Sequence, residues 1–463
     1  MFANLRHVHF VGIGGSGMSG IAEVLLSYDL QVSGCDRQRG EVVERLESLG
    51  ASVFLGHSEE HLEGVDLVVA SSAIPDDNLE LVAARRRGLT VVRRAEMLGE
   101  LMRLKYGIAI AGTHGKTTTT SMVGTLLTEV GLDPTVIVGG RMRVSGTGAR
   151  VGASDYLVAE ADEFDRSFLR LMPILAVVTT IDVDHLDTYT DLEAITDAFV
   201  DFASRVPFFG QIVLCLDEPN IQAILARLAR GHRLRTYGLS PQADLQAQEL
   251  EPIDGGSRFL VVEDGTPLGR LDLPMPGRHN VRNALAAVAV GRALDLDFAR
   301  IARGLEAFRG VHRRFETVGS WRGATVVDDY AHHPTEVRAT LEAARQAFPN
   351  GRVVAVFQPH LYSRTRDLAD DFGRALLEAD LAVVTDVYGS RERPIDGVDG
   401  RLVVDAARRS GHRRTHYQAD WRDVPERLES IVEAGPGDVV LTLGAGDIYR
   451  LGQQLAAVSG EAR

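Results

Sequence analysis

Short β-branched runs, each followed by a turn and a helical period, constrain this chain more than any other feature. HVHFVGIG, QVSGCD, SVFLG, DLVVASSA and LTVVRR follow one another between residues 7 and 94, separated by stretches whose apolar residues recur at helical spacing. Parallel strands cannot be joined by a tight hairpin and need a crossover, so this rhythm predicts a parallel sheet with helices on both faces. It restarts at YGIAIAGTHG and continues through DYLVAEAD, ILAVVTTID and QIVLCLD. It restarts again near His312, with ATVVDDY, RVVAVFQPH, LAVVTDVYG and DVVLTLGAG. Between these blocks, residues 243–273 carry DGG and EDG turns that predict an antiparallel meander, and HNVRNALAAVAVGRAL predicts a helix.

At 463 residues the chain is too long for one ordinary core. The expected fold class is α/β with three domains: Rossmann-like over 1–105, P-loop ATPase-type over 106–311 and Rossmann-like again over 312–463. A net charge of −14 argues against a general nucleic-acid binder. No apolar run is long enough for a membrane span, and MFANLRHVHFVGIGG reads as a strand with no secretory leader. Cys35 and Cys215 stand far apart, with no disulfide framework or zinc spacing. A cytoplasmic enzyme is expected.

Of the 50 lysines and arginines only Lys105 and Lys116 are lysine, and Lys116 sits in AGTHGKTTTT, between an apolar strand and a threonine-rich helix. A glycine turn at a helix N-terminus exposes backbone N–H groups to an anion. A lysine there reaches β- and γ-phosphates as a point charge, and Thr117 offers a hydroxyl to Mg²⁺. Arginine's planar fork does not replace it. The full P-loop pattern would place glycine where Ile110 stands, so the motif is the shorter Gly112-Thr113-His114-Gly115-Lys116-Thr117. GIGGSG, residues 12–17, meets GxGxxG, and Asp36 closes the next strand, 19 residues beyond Gly17. By itself this loop suits NAD or another diphosphate. Two phosphate loops in separate domains point to two phosphorylated ligands.

VAEADEFD ends one strand with Glu160, Asp162, Glu163 and Asp165, and TTIDVDHLD ends another with Asp182, Asp184 and His185. Strand C-termini of one parallel sheet meet at the edge that carries the P-loop, so both acidic ends can face Mg²⁺–ATP, although acidic strand ends are also often plain solvated loops.

GIGGSGMSG, GTHGKTTT, AEADEFDRSF, DVDHLDTY, GRHNVRNALAA, HRRFE, DDYAHHPTE and FQPHLYSRTRDL occur in the order, and roughly at the spacing, of the Mur ligases. The chain resembles that family from about residue 8 to residue 452, and the short P-loop is the family's form. The resemblance implies a cytoplasmic step of peptidoglycan synthesis in which ATP drives the joining of L-alanine to UDP-N-acetylmuramate through an acyl phosphate. ATP and Mg²⁺ or Mn²⁺ are the implied cofactors, with no nucleic-acid or membrane partner and a monomer or weak dimer. It places Lys116 on the β,γ-phosphates within a cradle of Gly112, Thr113, His114, Gly115, Thr117 and Thr118. Thr117 and Glu160 would hold one divalent ion and His185 a second. His279, Asn280 and Asn283 match the family's nucleotide-holding HNxxN, where Asn280 could equally be a helix cap. Asp328 resembles the residue that reaches the ATP ribose. Tyr330, His332, His360 and Arg364 look like the groups of the C-terminal domain that close over the acyl phosphate and amino acid. The pair His332-His333 before Pro334 could also be a packed turn. Gly12, Gly14, Gly15, Ser16, Gly17, Asp36 and Ser71 would hold the uridine diphosphate portion.

Thr180 and Asp182 stand where many members have asparagine and glutamate, which leaves the role of Thr180 open. No lysine follows Lys116, so the carbamylated lysine of sibling ligases is absent. An NAD-dependent dehydrogenase would leave GTHGKT and the C-terminal third unused, and an inert ATP-binding module would not need the acidic strand ends. Within the family, the loop GIGGSGMSG favours the alanine-adding member over the tripeptide-recycling one.

Overall fold

The structure, a computed structural model, describes residues 5–71, 73–140, 147–184, 188–390 and 392–458. Three sheets follow one another along the chain. The first has the order Ser52–Leu55, Gln31–Asp36, His7–Val11, Leu67–Ala70, Thr90–Arg93, every neighbour parallel. The order reverses beside His7–Val11, so a crevice opens at its C-terminal end, where GIGGSG begins.

The second sheet is built on Tyr106–Ala111, flanked by Leu175–Val178 and Tyr156–Glu160 in parallel. The P-loop and both acidic segments therefore leave the sheet at one edge. Gln211–Cys215 and Leu234–Gly238 extend it on one side, Thr135–Ile137 and Ala149–Arg150 on the other. The expected meander is present as Leu245–Ile253, Gly256–Glu263 and Thr266–Leu273, joined by Asp254-Gly255 and Asp264-Gly265. Both turn glycines have positive φ, as two-residue hairpin turns require.

The third sheet runs Glu316–Trp321, Ala324–Asp329, Val439–Leu443, Val353–Phe357, Leu381–Val384, Thr415–Tyr417, with only the first pair antiparallel. Its alternation explains the continuous apolar runs. Val327, Ala355 and Leu441 face one core with Val337, Leu341 and Phe372, while Val326, Val354 and Val440 face another with Val424, Leu428 and Leu451. A strand buried on both faces has no polar side to show. Glu316–Trp321 and Thr415–Tyr417, absent from the sequence reading, are short edge strands with partly exposed residues, where that signal fails.

The chain divides into two compact units: Met1–Glu249, Phe259–Asp272 and Arg282–Val311, then Leu250–Arg258, Leu273–Val281 and His312–Arg463. Within the second, Gln346 ties the inserted segments to the C-terminal fold, donating to Ser257 Oγ at 2.9 Å and accepting Gly277 N–H at 3.1 Å. Among the described residues no helix is long and apolar enough to cross a membrane.

Candidate active site

Gly112, at φ +133°, and Gly115, at φ +82°, turn the chain from the buried strand into the helix Lys116–Glu129. A Cβ on Gly112 would lie 2.0 Å from Thr179 Oγ1, and one on Gly115 would lie 2.7 Å from Asn283 Oδ1, so both positions exclude side chains. Lys116 begins the helix. Its Nζ donates to the Gly112 carbonyl at 2.7 Å and to both Glu163 oxygens at 2.9 and 2.7 Å. Burial works to lower the ammonium's pKa, but the charges of Glu163, Asp162 and Glu160 outweigh it and hold Lys116 well above its ordinary value. The lysine is a fixed cation.

Thr117, one residue on, donates to Glu160 at 3.1 and 3.0 Å, and Glu160 also accepts Gly139 N–H at 2.7 Å. A hydroxyl beside a carboxylate at the mouth of a phosphate turn is a hard oxygen donor set, which fits Mg²⁺. His185 lies outside the described residues.

Thr180 and Asp182, whose part the sequence left open, brace the P-loop. Thr180 Oγ1 accepts His114 N–H at 2.8 Å, and its carbonyl accepts Thr113 N–H at 3.0 Å. Asp182 N–H donates to Thr113 Oγ1 at 2.9 Å, and its carboxylate lies 3.1 Å from His114 Nε2. The Tyr189 hydroxyl donates to the Glu163 carbonyl at 2.7 Å. Thr118 is buried in the first helical turn. Asn283 is buried against Gly115. Asn280 lies within the first turn of the helix Arg278–Ala293, donating to the Pro276 carbonyl at 2.8 Å, so it is not the residue preceding that helix. His279 shares that turn.

The N-terminal crevice is a cavity of about 610 Å³ lined by Gly12, Gly14, Gly15, Asp36, Arg37 and Ser71, among others. The Cys35 carbonyl accepts the N–H groups of Gly12 and Ile13 at 2.9 and 3.0 Å, and Asp36 Oδ2 accepts Gly14 N–H at 2.9 Å. Asp36 Oδ1 takes Arg37 N–H at 2.7 Å, so this carboxylate shapes the loop from behind. The helix that follows begins at Ser16. A Cβ on Gly17 would meet Arg94 Nη1 at 2.9 Å.

In the second unit Asp328 is 2 % exposed, accepting from Thr442 Oγ1 at 2.6 Å and Arg313 Nε at 3.0 Å, and burial raises its pKa. Arg313, of HRRFE, lies over the Tyr330 ring at 4.9 Å. The His332 ring meets Tyr330 edge-on at 5.2 Å and His360 at 5.7 Å, and Arg364 Nη1 lies 3.4 Å from His360 Nδ1. These four residues form one cluster. His333, their neighbour, caps the helix Pro334–Ala347 by accepting Thr335 N–H at 3.3 Å, so the packed-turn reading describes His333.

Glu163, Thr180, Asp182 and Arg313 are the site residues whose partners sequence reasoning missed. The two acids were visible as acidic strand ends, but their partners were not.

Three family descriptions match in order: Mur ligase family, catalytic domain, over residues 7–106; Mur ligase middle domain over 110–291; and Mur ligase, glutamate ligase domain, over 313–446. A UDP-N-acetylmuramate–L-alanine ligase of Salinibacter ruber is 54% identical, with 96% of this chain and 93% of the relative covered. One of Geobacter sulfurreducens is 51% identical, with both chains covered completely. Among solved structures, a UDP-N-acetylmuramate-alanine ligase from Thermotoga maritima matches with a TM-score of 0.81 and 30% identity, covering 99% of this chain and 100% of that one. This chain belongs to the Mur ligase family.

Proposed function

We infer that this chain joins L-alanine to the carboxylate of UDP-N-acetylmuramate, converting ATP to ADP and phosphate, in the cytoplasmic synthesis of peptidoglycan precursors. The observation that carries this reading is the central site, where a largely buried, charge-balanced lysine stands beside a threonine–glutamate pair at a glycine turn. Relatives that share about half their residues with this chain, over nearly their whole length, bear that activity in their names.

A carboxylate is a poor acyl donor until it is phosphorylated. Its oxygen attacks the γ-phosphate, ADP leaves, and the amine of alanine then displaces phosphate. Lys116 and the N–H groups of the turn place positive charge where the transferring group builds negative charge, before the reaction begins. Thr117 and Glu160 would hold Mg²⁺, which when bound neutralises phosphate charge, and His185 is assigned to a second ion. The crevice around Gly12, Gly14, Gly15 and Asp36 takes the uridine diphosphate portion. Arg364 holds the carboxylate of alanine, with Tyr330, His332 and His360 around the reacting groups, and Asp328 is assigned to the ATP ribose. Phosphate release with ATP, Mg²⁺ and UDP-N-acetylmuramate should require L-alanine. If a tripeptide supported turnover and L-alanine did not, the recycling activity would replace this reading.

A further inference from the structure

Under the first sheet, several side chains converge on one carboxylate. Glu80 is fully buried at the start of the helix Leu79–Arg86. Its Oε2 accepts from the Cys35 thiol at 2.8 Å and lies 3.3 Å from His57 Nδ1; its Oε1 lies 2.6 Å from His61 Nδ1 and takes Ser58 N–H at 3.2 Å. Cys35 Sγ is also 3.2 Å from His57 Nδ1. His9 Nε2 points into the same cluster, 3.7 Å from Glu80 Oε2, within ion-pair range but without a hydrogen-bond partner. His9 is 0% exposed.

Neighbouring hydrogen bonds orient the His9 ring. The Gly64 carbonyl can only accept, so His7 Nδ1, 3.2 Å away, carries a hydrogen. His7 Nε2 therefore accepts the Ser33 hydroxyl proton at 2.7 Å. With that proton used, Ser33 Oγ accepts from His9 Nδ1–H at 2.8 Å. His9 Nε2 is thereby turned toward the Glu80 carboxylate and the Cys35 thiol, buried and without a hydrogen-bond partner of its own, although three other donor atoms lie around it.

We propose that His9 Nε2, Cys35 Sγ, His57 Nδ1 and the Glu80 carboxylate bind a divalent transition metal of the zinc type. Mixed imidazole, thiolate and carboxylate donors are zinc's ligands, and its bond lengths give tetrahedral edges of roughly 3.3–3.7 Å. The donor atoms of His9, Cys35 and Glu80 all lie within 4.8 Å of one another, close enough to share one ion after small shifts. The His7–Ser33 relay sets the His9 tautomer and His61 holds the other Glu80 oxygen, the outer support that such ligands need. On binding, the Cys35 S–H bond breaks, an S–metal bond forms and the proton leaves to solvent. Because the Cys35 carbonyl holds Gly12 and Ile13, and Asp36 holds Gly14, the ion braces the strand end that shapes the crevice.

The test is to strip the full chain with a chelator and titrate it with Co²⁺ under saturating Mg²⁺. One Co²⁺ per chain should bind with a thiolate-to-cobalt charge-transfer band that zinc displaces. Cys215→Ser should keep the band and Cys35→Ser should lose it, and His9→Gln should weaken binding at least ~10-fold. Zinc should raise the thermal midpoint of the wild type. Because variants can fail to fold, the wild type decides by itself: no band and no zinc-dependent shift in folded protein overturns the site. A band that survives in Cys35→Ser puts the ion elsewhere and also overturns it.

Discussion

The turn at Gly12–Gly17 and the turn at Gly112–Lys116 both leave a buried parallel strand and both open a helix, yet their charges are arranged in opposite ways. In the first, a carboxylate stands behind the loop: Asp36 takes Gly14 N–H, and no lysine lies in the turn. In the second, an ammonium 12 % exposed stands within the turn, balanced by Glu163 at 2.7 Å. In the proposed function the first loop holds a diphosphate that does not react, for which shape and backbone N–H groups suffice. In the proposed function the second meets charge that grows during phosphoryl transfer, and a cation held beforehand does that without reorganising.

Removing the cation should have the largest effect. Lys116→Met is expected to lower kcat by at least ~10³-fold, the scale on which positioned cations act in phosphoryl transfer. Calorimetric affinity for UDP-N-acetylmuramate should stay within about twofold; an equal loss of both would merge the two loops into one site. Glu163→Gln leaves the same ammonium buried with a neutral partner, so unfolding should lose about 3 kcal/mol in urea titration. A change below about 0.5 kcal/mol would mean that water already screens the pair.

The glycines give the reciprocal experiment. A Cβ on Gly14 would lie 2.8 Å from Asp36 Oδ2, and one on Gly115 would lie 2.7 Å from Asn283 Oδ1. Gly14→Ala should raise KM for the sugar nucleotide about 10-fold or more and leave KM for ATP alone, with Gly115→Ala doing the opposite. Thr180→Ala removes the acceptor of His114 N–H and should raise KM for ATP by about 5- to 10-fold. The smallest effect concerns pH. Lys116 has its pKa raised in the folded state, so its contribution is complete below the ordinary value of 10.5 and is lost only as pH rises beyond it. ATP affinity should therefore show no lysine titration between about pH 7 and 9.5; a fall in that window would mean that the Glu163 pair is broken in solution.

Much of this was legible in the sequence because it is local. Periodicity marks strands buried on both faces, glycine marks turns that need positive φ, and Lys116 and Thr117 follow such a turn directly. The edge strands Glu316–Trp321 and Thr415–Tyr417 were not legible, since a half-exposed strand carries a weaker pattern. Thr180 illustrates the other gap. Its role stays open in the sequence, and only the structure shows its hydroxyl accepting His114 N–H, 66 positions away.

The sequence alone determined the α/β class, the two glycine turns and the lysine within the second, because each depends on residues adjacent in the chain. Tertiary structure decided which carboxylate balances Lys116, and it chose Glu163, 47 residues away, from among several acids in the same segment. It also brought His9, Cys35, His57 and Glu80 from four separate segments around one buried point. Side-chain pairing of this kind depends on strand order and register, which composition and spacing along one chain do not encode.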